Sequence, residues 1–325
     1  MTFRPAKQPV RMMAASLALV SMLPACGTDG PQGDDGILVM ATTSILADIA
    51  SNVVGEDGIA ESLIPIGGDS HDFAPSSQQL ARLGQADLVV ANGLNLEESM
   101  VDLLDSLRAD GVEVIELAPL VDPIPFVEPE SNEENGQDED DGDDVGDEHE
   151  AADPHFWNDP IRVGDAALAL AASLEESDPG GGWLARAEAY ADEMSAVDTT
   201  IRALVENVPE TSRRLVTNHE AFGYFADRYG FELIGVVIPG GSTLAEPSSA
   251  ELAELVEVME NEGVRVIFAE TSQTTTLADA VAAELGADVE VVELFTESLG
   301  PAGSDAETLS GMLLSNAEKI ASALG

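Results

Sequence analysis

At 325 residues the chain is longer than one hydrophobic core requires, which points to two domains. It carries 62 acidic against 13 basic side chains, a formal net charge of −49 at pH 7, which makes nucleic acid and anionic membrane surfaces poor electrostatic partners. A single cysteine excludes an internal disulfide, and past the first thirty residues no apolar run approaches the ~20 residues that a membrane-spanning helix needs.

Residues 1–25 have the layout of a secretory signal: Arg4, Lys7 and Arg11 precede an apolar stretch from Met12 to Leu23, followed by small residues. Export to the outer face of the cell membrane, or to a periplasm, is the expectation. Cys26 follows directly in the sequence LPAC, which resembles the lipobox of bacterial lipoproteins, where the cysteine is acylated and anchors the chain to the membrane. The alternative is a free thiol in a secreted protein. Residues 26–36, rich in Gly, Asp and Pro, would then be a tether.

Short apolar runs bounded by turn residues come next, and they alternate with helix-like stretches. Strands are predicted at ILVMATTS (37–44), ESLIPI (61–66), DLVVANG (87–93) and VEVIEL (112–117), as expected of buried parallel strands. Residues 128–150 hold 13 acids, no Lys or Arg and no apolar periodicity, so a disordered loop is expected there. Its glycines do not fall at the spacing of a calcium-binding EF-hand loop. Between Gly182 and Pro209 one long helix is predicted, with Leu184, Ala187, Ala191, Met194, Val197, Ile201, Leu204 and Val208 at helical spacing. It would either link two domains as a stiff backbone or lie on the surface of one. A second strand set follows at RLVTN (214–218), FELIGVV (231–237), VRVIFAE (264–270) and VEVVELF (289–295). The expected fold is α/β: two lobes, 37–178 and 210–325, each a four-stranded parallel sheet flanked by helices, joined by the helix of 179–209. Ser248 to Glu251 fits a capping box that starts a helix after Pro247.

Of the four histidines, three fall in loops next to strands or helices. His71 lies beyond ESLIPI, His155 sits in DPHFWNDP ahead of a helix beginning near Ile161, and His219 follows RLVTN at the opening of a helix. His149, inside the acidic segment, lacks that context. Ligands of α/β sheets bind outside the carboxyl ends of the strands, so these loops can meet in a cleft. Imidazole suits zinc and its neighbours, and Glu297, just past VEVVELF, offers a carboxylate as fourth donor. Glu270, ending VRVIFAE, would either orient a ligand histidine or face solvent. Phe156 and Trp157, flanking His155, are expected to pack over the site.

The pieces TTSILADIA, DSHDFAPS, DPHFWNDP, TNHEAFGYFADRYG, STLAEPSSAEL, IFAETS and LFTESLG follow one another along nearly the whole mature chain. Together they resemble the motifs of the zinc- and manganese-binding substrate-binding lipoproteins of ABC importers. The resemblance implies two α/β lobes joined by a rigid helix, with a metal ion buried between them on His71, His155, His219 and Glu297. It implies Zn2+ as cargo, with Mn2+ the alternative, because manganese-type members usually carry Glu where His219 stands. Ser70 and Glu297 are departures, standing where the family generally has Pro and Asp.

The implied function is capture of a divalent metal and delivery to a membrane permease by a lipid-anchored monomer, not an enzyme. Two other classes compete. A zinc hydrolase could use three histidines and Glu220 as base, but the chain has no H-E-x-x-H motif. A surface adhesin could use the same scaffold.

Overall fold

The two sets of apolar runs fold into two parallel sheets. The computed structural model describes residues 1–2, 36–126 and 152–325. The signal segment, Cys26 and the acidic segment 128–150 with His149 lie outside the described residues. Residues 36–325 form one compact unit.

The first half runs β1 (Ile37–Ala41), α1 (Ser44–Val54), β2 (Gly58–Ser62), α2 (Ser77–Leu83), β3 (Leu88–Ala91), α3 (Val101–Ala109) and β4 (Val114–Glu116). After α4 (Pro160–Ser177) and α5 (Trp183–Val205), the second half runs β5 (Arg214–Thr217), α6 (Gly223–Tyr229), β6 (Glu232–Val236), α7 (Ser249–Glu262), β7 (Val266–Glu270), α8 (Thr276–Leu285), β8 (Glu290–Leu294) and α9 (Leu309–Leu324). Both sheets are parallel, ordered β2-β1-β3-β4 and β6-β5-β7-β8. One topology is thus used twice. In each sheet the order reverses at the first strand, so chain connections diverge there and leave a crevice at the carboxyl ends.

Side-chain alternation divides the burial. Val39, Ala41, Leu88, Val90, Leu215 and Phe268 face one continuous core shared with α1, α4, α5 and α9. Their neighbours Met40, Val89 and Ala91 face a smaller cluster in the first half, and Val216, Ile267 and Ala269 one in the second. Both faces are covered, which is why these strands are apolar runs and not alternating ones. No helix among the described residues is long and apolar enough to cross a membrane.

Helix α5 spans about 34 Å at ~1.5 Å per residue. It buries Trp183, Ala187, Tyr190, Met194, Val197, Ile201 and Val205 along one stripe. The helix ends three residues before the expected Val208, because Pro209 disfavours helical geometry in the residue before it. Its last turn tightens instead, with Val208 N donating to Val205 O at 3.0 Å, and Arg213 Nη2 donating to the same carbonyl at 3.1 Å. Ile201→Ala should cost about 2–5 kcal/mol. A urea midpoint shifted down at constant m would show it, and an unchanged midpoint would mean that this face carries no core.

Strand β2 lies earlier than the apolar run that announced it. It pairs Gly58 to Ser62 with β1, while Leu63 and Ile64 donate only to the end of β1 (Ala41 O and Thr42 O, 2.8 and 2.9 Å) before Pro65, which has no N–H, ends the pairing. As an edge strand half in solvent, with Ile59 53% exposed, β2 does not show the apolar run of a central strand. The capping box is as expected: Ser248 Oγ accepts from Glu251 N, and the Glu251 carboxylate accepts from Ser248 N at 2.6 Å.

Candidate metal centre

His71 lies in the loop between β2 and α2. Its N–H donates to Asp69 Oδ1 at 2.9 Å, and its carbonyl accepts from Ser99 Oγ at 2.7 Å. His155 repeats the first device, donating its N–H to Asp153 Oδ1 at 2.9 Å. It opens a 3-10 turn, Phe156–Asn158, that leads into α4, where Asp159 caps the helix and Pro160 takes the first position, needing no donor. His219 follows β5 by two residues and its carbonyl accepts from Thr217 Oγ1 at 2.7 Å. Helix α6 begins only at Gly223, so His219 sits in a turn and not at the helix opening the sequence suggested. Glu297 lies in the loop after β8.

The fold brings these four side chains together. One nitrogen or oxygen from each lies within 4.8 Å of all the others, and each residue is at most 2% exposed. His155 Nε2 and His219 Nε2 are 3.2 Å apart, and Glu297 Oε1 is 3.5 and 3.6 Å from them. Donors on a tetrahedron with bonds of about 2.05 Å stand about 3.3 Å apart, so these three already have the spacing of a four-coordinate ion. His71 Nε2 stands slightly outside, 4.0 Å from Glu297 Oε2.

All three rings point Nε2 inward because each Nδ1 faces a carboxylate. His155 Nδ1 is 2.7 Å from Asp153 Oδ1, His219 Nδ1 hydrogen-bonds Glu270 Oε1, and His71 Nδ1 is 3.3 Å from Glu98 Oε1 at an angle outside hydrogen-bond geometry. The two hydrogen-bonded partners fix the His155 and His219 rings and their tautomers. Glu270 is thus a buried partner of His219, not a solvent-facing acid. Asp153 and Glu98 were not singled out from sequence. The repeated D-x-H of DSH and DPH was a usable signal for Asp153, whereas nothing local marks Glu98.

Burial sets the protonation. It lowers His71 and His155, assisted by the positive charge of His219. Burial would also lower His219, but the Glu270 carboxylate and then Glu297 outweigh it and raise the ring to about 9. Burial raises Glu297 to about 8 and Asp153 to about 7. Burial would raise Glu270 as well, yet the His219 charge holds it below the usual carboxylate value. The ion-free centre therefore keeps protons where a cation would sit. His71 Nε2 and Glu297 Oε1, both buried, have no hydrogen-bond partner. Each orphan of this kind costs about 1–3 kcal/mol, which an ion bonded to both would offset.

Contacts between the halves close over the centre. Trp157 stands edge-on to His155, ring centres 5.3 Å apart, and donates Nε1–H to Thr296 O at 2.9 Å, while Phe156 is fully buried beside it. Asp69 accepts from Thr243 Oγ1 at 2.6 Å and from Gln273 Nε2, and Asn158 Nδ2 donates to Ala221 O at 2.8 Å. Ser70 Oγ donates to Glu297 Oε2. Glu220, buried next to His219, accepts from Gly240 N at 3.3 Å through Oε1.

The chain is similar to known metal-binding proteins over most of its length. The family model of ZnuA, the periplasmic zinc-uptake complex component A, matches residues 39–323. The zinc-binding protein TroA of Treponema pallidum is 31% identical over 326 residues, covering 97% of this chain and 98% of its own, and its solved structure superposes with a TM-score of 0.75 over 89% of this chain and 99% of its own. The manganese-binding lipoprotein MntA of Bacillus subtilis is 30% identical over 323 residues, covering 96% of this chain and 98% of its own. A manganese-bound periplasmic metal-binding protein of Candidatus Liberibacter asiaticus, 21% identical, shares the fold with a TM-score of 0.73. The chain belongs to the ZnuA family, the metal-binding, non-enzymatic substrate-binding components of ABC importers.

Proposed function

We propose that this chain captures one zinc ion on His71, His155, His219 and Glu297 and delivers it to the permease of an ABC importer. The donor set carries the reading: three imidazole nitrogens, two of them held Nε2-inward by a hydrogen-bonded acid and the third facing one, and one carboxylate. Nitrogen-rich sets suit zinc, whereas manganese favours oxygen. In this reading Cys26 is acylated and anchors a monomer outside the cell membrane, and residues 179–209 join a lobe of 37–178 to one of 210–325. Relatives carry both zinc and manganese in their names, so the choice of metal is what a test must separate.

Competitive titration of the metal-stripped chain addresses it. One tight equivalent of zinc, unmoved by excess manganese, supports the reading. Preference for manganese would keep the transport role and overturn the metal, and no tight binding of either ion would overturn the site. The positioning acid gives a graded check: Glu270→Gln should lower zinc affinity by about 10- to 100-fold. An unchanged constant would mean that the His219 ring is held by packing alone.

A further inference from the structure

The two oxygens of Glu297 have different surroundings. Oε2 accepts the hydroxyl proton of Ser70, whereas Oε1 has no hydrogen-bond partner and stands 3.5 and 3.6 Å from the Nε2 atoms of His155 and His219. Ser70 is 1% exposed, so water does not replace its hydroxyl. Its loop is also fixed on both sides. Gly67 N donates to Ser298 Oγ at 2.8 Å, and Asp69 receives His71 N, Thr243 Oγ1 and Gln273 Nε2.

We propose that Ser70 is a specificity-determining residue: by engaging Oε2 it makes Glu297 bind the ion through Oε1 alone, which keeps the centre four-coordinate and favours zinc over manganese. This rests on the reading of His71, His155, His219 and Glu297 as the ligands. The chemistry follows from the two ions. Zinc has no geometric preference from its d electrons and is well served by four donors on a tetrahedron. Manganese is better served by more donors and by oxygen. A carboxylate released from the hydroxyl can turn both oxygens to the ion, which raises the donor number from four to five and the oxygen count from one to two. Hydrogen bonds from hydroxyl to ionised carboxylate are among the stronger ones, so holding this rotation is within the reach of one serine.

The test compares the wild type with Ser70→Ala, which removes the hydroxyl, and Ser70→Thr, which keeps it. Zinc and manganese constants are measured by competition against a chelator, and zinc K-edge absorption gives the donor number of the loaded protein. Ser70→Ala should lower the zinc-to-manganese preference by about tenfold, equivalent to about 1.4 kcal/mol, and raise the donor number towards five. Ser70→Thr should stay with the wild type in both readouts. A zinc-selective wild type whose Ala variant keeps the same preference and donor number, or a Thr variant that behaves like Ala, overturns the role of Ser70 alone. A wild type without a tight zinc site overturns the ligand reading beneath it.

Discussion

Replacing His155 by alanine should lower zinc affinity by well over 100-fold while leaving the far-UV circular dichroism spectrum unchanged. His155 is fully buried, and its Nε2 is 3.2 Å from that of His219 and 3.5 Å from Glu297 Oε1, so it stands at the meeting point of the donors. Loss of an outer carboxylate partner costs about 10- to 100-fold, and loss of a donor exceeds that because a ligand bond goes with it. Folding is set elsewhere, by the core shared among α1, α4, α5 and α9. Equal zinc constants for wild type and variant would remove His155 from the centre. A lost helical signal would mean instead that the DPHFWNDP turn is needed to build α4.

Zinc affinity should also climb steeply with pH. In the ion-free protein the His219 ring, raised to about 9 mainly against its burial by Glu270, holds a proton through neutral pH. Glu297, raised by burial to about 8, holds another. Both must leave before the donors can bind a cation. His71 and His155 are lowered by burial and contribute no competing proton above neutrality. The sign is therefore fixed: below these values protons compete with the ion, and the competition fades as pH passes about 8 and then about 9. Affinity should rise about tenfold or more per pH unit between pH 6 and 8, with about one to two protons released per ion at pH 7. Calorimetric titration in buffers of different ionisation enthalpy counts those protons. A pH-independent constant, or proton uptake on binding, would mean that the four groups are not arranged around one ion.

Much of this was legible in the sequence because the central strands are buried on both faces. Runs such as DLVVANG and VRVIFAE cannot belong to a half-exposed sheet, and the β/α alternation then leaves few topologies. Edge strand β2 was misplaced for the complementary reason: half of it faces solvent, and the apolar run beside it belongs mainly to the loop that carries His71. The four residues of the centre could be named but not joined by spacing alone, since they come from four separate loops. What brings them together is the repeated strand order and the closing contacts Trp157–Thr296, Asn158–Ala221 and Asp69–Thr243. Their outer partners divide the same way. Asp153 lies two residues from its histidine and has a local signal. Glu98 reaches His71 from another loop through tertiary packing and has none.

The most direct test is a crystal of the zinc-loaded chain measured on both sides of the zinc absorption edge. A single anomalous peak is expected within about 2.0–2.2 Å of His71 Nε2, His155 Nε2, His219 Nε2 and Glu297 Oε1. A strong peak elsewhere, with these four side chains still unbridged, would contradict the account.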